Sequence, residues 1–145
     1  LIDNAGALIY SRSTNRFLFV RRAADKRHKG TWGIVGGRLN PGEDANQGLR
    51  REIAEEVSLT LLEYSIIIPL TVYNSDDKLF SYQTFVVVVN DEFIPKLNDE
   101  HSGYAWTKIE GFPRPLHPGV WKTVNFDEVT EKLRTIEGLF GQQRP

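Results

Sequence analysis

The segment GGRLNPGEDANQGLRREIAEEVSL, residues 36–59, limits the fold more than any other stretch of the chain. Residues 44–57 read as a helix. At about 100° per residue, with Glu52 at zero, Ala45, Leu49, Ile53 and Val57 fall near 20°, 60°, 100° and 140°. This is a buried stripe, and the helix must pack against something apolar. Glu56 falls near 40°, inside the stripe between Ala45 and Leu49, and Glu52 lies at its edge. Glu55 and Arg51 lie outside it, near −60° and −100°.

A solvated acidic face with an Arg51–Glu55 ion pair, worth about 0.3–0.5 kcal/mol, accounts for those two residues. It does not account for Glu56, because a buried carboxylate is unfavourable unless paired or bound to a cation. Glu52 and Glu56 are also four residues apart, where like charges repel. A divalent cation resolves both problems. Clustered oxygen ligands suit magnesium or manganese rather than zinc. Calcium fits less well, because the flexible loop of carbonyl and carboxylate ligands that it prefers is absent.

The residues before the helix suit the same site. Gly36-Gly37 allows close backbone approach and leaves a carbonyl available. Asn40-Pro41-Gly42 is a turn, and Glu43 stands at the helix start, where the dipole favours negative charge.

Around this helix the chain is rich in strands. Residues 5–10 and 16–22 read as strands separated by the turn SRSTN. A basic loop, ADKRHKGT, leads to a short strand over 32–35. Residues 64–73 and 80–89 are β-rich, with Pro69 marking an edge or a bulge and residues 74–77 a turn. A further strand is expected over 104–108. A last helix is expected with Asn125 as N-cap, Val129, Leu133 and Ile136 on one face, and Gly138 as its stop. The pattern gives a mixed sheet with helices packed on it.

The chain's 145 residues suit a single domain spanning 1–145. Net charge is −1, so no global field argues for nucleic acid or an anionic membrane. No apolar run approaches the roughly 18 residues of a membrane span, and the N-terminal sequence does not read as a secretory signal. Cysteine is absent, which excludes disulfides, thiolate zinc sites and cysteine nucleophiles and fits a reducing, cytoplasmic setting. The sequence starts at Leu1 and contains no methionine, so a trimmed start is expected.

Gly37, Glu43, Arg51-Glu52-Ile53, Glu55-Glu56 and Ser58-Leu59 stand at spacings that resemble the Nudix box, here residues 37–59. Two backbone positions depart from the usual pattern: Ser58 where the family has glycine, and Val35 where it has proline. The resemblance implies a Nudix-like α/β/α sandwich with a mixed β-sheet. It implies a Mg²⁺-dependent hydrolase, with Mn²⁺ as a substitute, that cleaves the diphosphate of a nucleoside diphosphate linked to another group. Nucleoside triphosphates, ADP-ribose and dinucleoside polyphosphates are the candidate substrates. Glu52, Glu55, Glu56 and the Gly36 carbonyl would hold metal. Arg51 would orient a box glutamate, and Glu43 would support helix and loop. The base is expected to be a box glutamate or Glu100, which is also a candidate extra metal ligand. His101 could serve as base too, but a solvent-facing loop histidine is the more common case and is the expectation. The expected partner is a small nucleotide, with no membrane and no nucleic acid, and a homodimer is allowed. The alternative is a non-catalytic module that senses a nucleotide or RNA.

Arg21-Arg22-Ala23-Ala24-Asp25 looks like a stretch of the oxidised-guanine triphosphate pyrophosphatases in that family. Arg22 would contact nucleotide, with Arg21 beside it, and Arg38 matches a position that is often a basic phosphate contact. Trp32, Tyr73, Tyr82, Phe85, Tyr104 and Trp106 are candidates for base stacking. Most of them are expected in the core, with Tyr82, Val86 and Val88 on one sheet face. Residues 111–121 read as a proline-rich loop that borders the substrate through His117 and Trp121.

Overall fold

A computed structural model of the protein describes residues 2–142; residue 1 and residues 143–145 of the expected domain lie outside the described residues. The strands are β1 (Ile2–Ser11), β2 (Arg16–Arg22), β3 (Trp32–Gly33), β4 (Val35–Arg38), β5 (Ile66–Asn74), β6 (Phe80–Val89) and β7 (His101–Thr107). The helices are α1 (Ala45–Val57), α2 (Pro118–Val124) and α3 (Asp127–Phe140), with a 3₁₀ turn at Ile109–Gly111. The sheet runs β3-β2-β1-β6-β5, with β4 also on β1 and β7 also on β2. It is mixed, because β1 and β6 are parallel and the other pairs are antiparallel.

Strand alternation gives the sheet two apolar faces. Ala5, Ala7, Ile9, Leu18, Val20 and Val87 pack with Leu49, Ile53 and Val57 of α1. On the other face Leu8, Tyr10, Phe17, Phe19, Val86 and Val88 pack with Val129, Leu133 and Ile136 of α3. Helix on either side of one sheet is the expected α/β/α sandwich. Each large apolar side chain so buried contributes about 1.5–3 kcal/mol.

One departure from the sequence reading creates the site. The 32–35 strand is two strands that change partner at Ile34. Ile9 pairs with Leu18, and continuing that register would pair Ala7 with Val20. Instead Ala7 pairs with Val35 and Val20 with Gly33. The β3–β4 segment therefore fills a fork between β1 and β2 and carries Gly36-Gly37 along β1.

The Pro69 expectation holds, and smaller differences concern the ends of the helices. Pro69 is both on the edge strand and beside a bulge, since the β5–β6 register shifts between Pro69 and Thr71. Part of the expected proline-rich loop is α2, which His117 starts by accepting the Gly119 N–H on Nδ1. Asn125 ends α2 rather than starting α3, and α3 runs past Gly138 to Phe140, with Gly141 as its C-cap. A single glycine late in a helix, with Leu139 and Phe140 still to follow, does not stop it.

Candidate active site

Asp44 is the N-cap of α1. Its side chain accepts the Gln47 N–H at 2.8 Å, and the Gln47 side chain accepts the Asp44 N–H at 2.9 Å. This capping box leaves Glu43 free for another task. Glu43 takes two hydrogen bonds from the Arg51 guanidinium, at 2.8 and 3.0 Å, and one from the Asn40 N–H. The Arg51 bonds hold its carboxyl below the usual carboxylate range. Arg51 also donates to Glu52 and Glu55, at 3.1 Å each, and to the Arg38 carbonyl. One guanidinium thus ties the loop before α1 to two glutamates of the helix.

At the other end α1 leaves carbonyls without helical partners. The Ser58 N–H takes that of Ala54, the Asn98 N–H that of Glu56, and the Lys96 N–H that of Val57. Ser58 is left-handed, with φ 60°, which explains why glycine is usual there. Its hydroxyl donates to the Lys96 carbonyl at 3.0 Å. The segment 96–98 is thereby bound to the end of α1, and the residues after it arrive over Glu56.

Those residues are Glu100 and His101. Single carboxylate oxygens of Glu52, Glu56 and Glu100 lie within 4.8 Å of one another. Glu56 is 2% exposed, as its place in the apolar stripe predicts. One of its oxygens accepts the Gly36 N–H at 3.0 Å and the other meets His101 Nε2 at 2.5 Å. Burial pushes the Glu56 carboxyl up to about 10, reinforced by Glu52 and then by the charge of Glu100. Burial pushes His101 down. The pair is therefore a neutral acid against a neutral imidazole. Gly36 must be glycine because a Cβ there would collide with the Ala5 carbonyl and the Gly6 Cα.

The site thus joins Gly36, Glu52, Glu56 and Glu100. Glu55 stays on the outer face, bonded to Arg51. His101 is not the solvent-facing loop residue expected: it begins β7, pairs with Arg22 and is buried. Arg22 hydrogen-bonds the Arg27 carbonyl at 2.6 Å and Arg21 reaches the Gly30 carbonyl at 3.5 Å, so both hold the base of the basic loop. The positive charge of Arg22 acts on His101, His117 and Tyr82 alike. Arg38 is exposed at the far end of β4. Among the stacking candidates, Phe85 and Trp106 pack against the α1 core and Trp32 against the α3 core, while Tyr73 meets Phe80 edge-on. His117 meets His28 edge-on, with ring centroids 4.8 Å apart.

Among the described residues no helix is long and apolar enough to cross a membrane. The NUDIX domain profile matches residues 1–126. The chain is 32% identical over 120 residues to the nucleoside triphosphatase NudI of Escherichia coli, covering 76% of this chain and 79% of that protein. A MutT NUDIX hydrolase from Burkholderia pseudomallei has a similar structure, with TM-score 0.66 and 23% identity over 85% of this chain and 95% of that one. RenU, a Nudix hydrolase from M. smegmatis, gives TM-score 0.74 and 18% identity over 99% and 89%. At those identities the two structures carry the fold alone.

Proposed function

The chain belongs to the NUDIX family and is a hydrolase of pyrophosphate bonds, and from that premise we propose that it is a divalent-cation-dependent pyrophosphohydrolase acting on a nucleoside triphosphate. The observation that carries the metal requirement is the trio of Glu52, Glu56 and Glu100, with ligand oxygens within 4.8 Å. The donors are carboxylates, which suit Mg²⁺, with Mn²⁺ as a substitute. Glu56 is buried without a cationic side chain bonded to it, which fits a ligand waiting for a cation. The triphosphate is favoured by the relative named a nucleoside triphosphatase.

Glu52 and Glu56, with the Gly36 carbonyl, would hold the cation, and Glu55 would join from the outer face of α1. A cation bound there supplies charge neutralisation on the phosphates and a lowered pKa for bound water. Arg51 keeps Glu52 and Glu55 in place. Arg22, with Arg21 beside it, stands on the β2 arm of the fork and Arg38 on the β4 arm, both away from its closed end, where they would draw the polyphosphate. Glu100 either takes the proton of the attacking water or completes the ligand set. Glu100→Gln separates the two roles: a fall in kcat with unchanged Mn²⁺ affinity assigns the base, and weaker Mn²⁺ binding assigns the ligand. The non-catalytic sensor gives way, since the family and the named relative are hydrolases.

The test is a nucleotide panel with Mg²⁺ or Mn²⁺ and with chelator, products identified. Pyrophosphate and a nucleoside monophosphate should appear from one or more triphosphates, and chelator should stop their release. Cleavage of ADP-ribose or dinucleoside polyphosphates with triphosphates left intact would overturn the substrate assignment.

A further inference from the structure

Tyr82 shares a sheet face with Val86 and Val88, as strand alternation predicts, but it lies beyond the packed core. It pairs with Asn4 of β1, and its phenol ring lies across Gly6. A Cβ on Gly6 would overlap the Tyr82 hydroxyl, and a Cβ on Gly36 would stand 2.9 Å from the same oxygen. Gly6 and Gly36 are paired residues on neighbouring strands. Two missing side chains therefore make the space that the phenol fills, and its oxygen ends over the Gly36 backbone. Gly36 is the residue whose N–H holds Glu56.

The hydroxyl makes no hydrogen bond to another described residue. A phenol is protonated at neutral pH and is a donor. The hydroxyl is thus a donor beside the Gly36 backbone that no described residue engages, open to an acceptor from outside the protein.

We propose that the Tyr82 hydroxyl is a catalytic hydrogen-bond donor to a non-bridging oxygen of the substrate's scissile diphosphate, held over Gly36. This rests on the pyrophosphohydrolase reading above. Tyr82 brings no charge, so it contacts a phosphate oxygen without pairing with Glu52 or Glu56. Negative charge shifts over the phosphoryl oxygens during displacement, and a fixed donor there strengthens its bond as that happens.

Tyr82→Phe removes the oxygen and keeps the ring between the glycines. With a triphosphate that the wild-type protein cleaves, kcat should fall about 10- to 100-fold, with KM changed less than about threefold. The melting temperature should stay within about 2 °C, as the oxygen has no protein partner to lose. Independently of turnover, the ¹³Cζ resonance of Tyr82 in ring-labelled protein should move when inorganic pyrophosphate and Mg²⁺ are added. Unchanged kcat, or a resonance that ignores pyrophosphate, overturns the proposal, and so does a melting temperature lowered by about 10 °C or more, which assigns a structural role. If the nucleotide reading itself is wrong, the wild-type protein will be idle on every triphosphate, and the pyrophosphate-induced shift alone then decides for or against Tyr82.

Discussion

Replacing Glu56 by glutamine should stabilise the chelator-treated protein near neutral pH while abolishing hydrolysis. Glu56 is 2% exposed and its carboxyl is pushed up to about 10 from an ordinary value of 4.5. Folded protein therefore holds the neutral acid, whereas the unfolded chain ionises this group near 4.5. A raised folded pKa means that the contribution to stability is fully present below the unfolded value and is lost as pH rises toward the folded one. At about pH 7.5 the loss is about three pH units at 1.36 kcal/mol each, or about 4 kcal/mol. That figure depends on the distance of the working pH from 4.5, and the folded value matters only by lying above it. Glutamine is neutral throughout. Its carboxamide oxygen can accept the Gly36 N–H and its NH₂ can donate to His101 Nε2, matching the two contacts of the acid. Urea denaturation with chelator should show Glu56→Gln ahead of wild type by less than about 1 kcal/mol at pH 5, and by several, with about 4 as the ceiling, at pH 7.5. Adding Mg²⁺ or Mn²⁺ should stabilise wild type and leave the variant unmoved. A stability difference that stays flat with pH, or a variant less stable than wild type at pH 7.5, would refute the reasoning.

Three further outcomes follow from the same contacts. Arg51→Gln breaks the bonds to Glu43, Glu52 and Glu55 and should lower stability by about 1–3 kcal/mol and kcat by at least about tenfold, read by denaturation and steady-state kinetics. Ser58→Gly relieves a left-handed residue at φ 60° but gives up the exposed hydroxyl bond to Lys96, so denaturation should show a net gain of less than about 1 kcal/mol with activity unchanged. Burial, then His28 and Arg22, hold His117 below its ordinary pKa, so its contribution is present above about pH 6.5 and is lost as pH falls through its folded value; His117→Gln should flatten the melting temperature on that acid side.

The parts of the site legible in the sequence are those set by local periodicity. Glu56 betrays itself because Ile53, three residues before it, and Leu49 and Ala45, seven and eleven before it, define a stripe that it has no apolar reason to join. Gly36-Gly37 and the Asn40–Gly42 turn are equally local. The strand order was less accessible, because the switch at Ile34 depends on β1 and β2 parting beyond Ile9 and Leu18, a long-range register that four residues of WGIV do not encode. The start of α3 departs from the local pattern for a related reason. Asn125 is a good cap by type, but its carboxamide bonds the Trp121 carbonyl of the preceding helix, and no local pattern shows which of two adjacent helices an asparagine serves.

Glu100 and His101 belong to a third class. In the sequence they are two polar residues of a loop, forty-four and forty-five positions after Glu56. Their place follows from an obligation of the helix itself. A helix that ends at a left-handed Ser58 presents the Glu56 and Val57 carbonyls to whatever donors come near, and Asn98 and Lys96 supply them. Asn98 then fixes Glu100 from both sides, accepting its N–H and donating to its carboxylate, each at 3.1 Å. The third carboxylate is therefore positioned by backbone groups that the second carboxylate's own helix leaves unpaired. A change at Asn98, which need touch no substrate, should displace Glu100 and reproduce whichever effect Glu100→Gln has on Mn²⁺ binding or kcat. Asn98→Ala compared with Glu100→Gln in a Mn²⁺ titration and in steady-state kinetics tests that dependence: if Glu100→Gln weakens binding or lowers kcat and Asn98→Ala leaves both unaltered, the loop is held by other means.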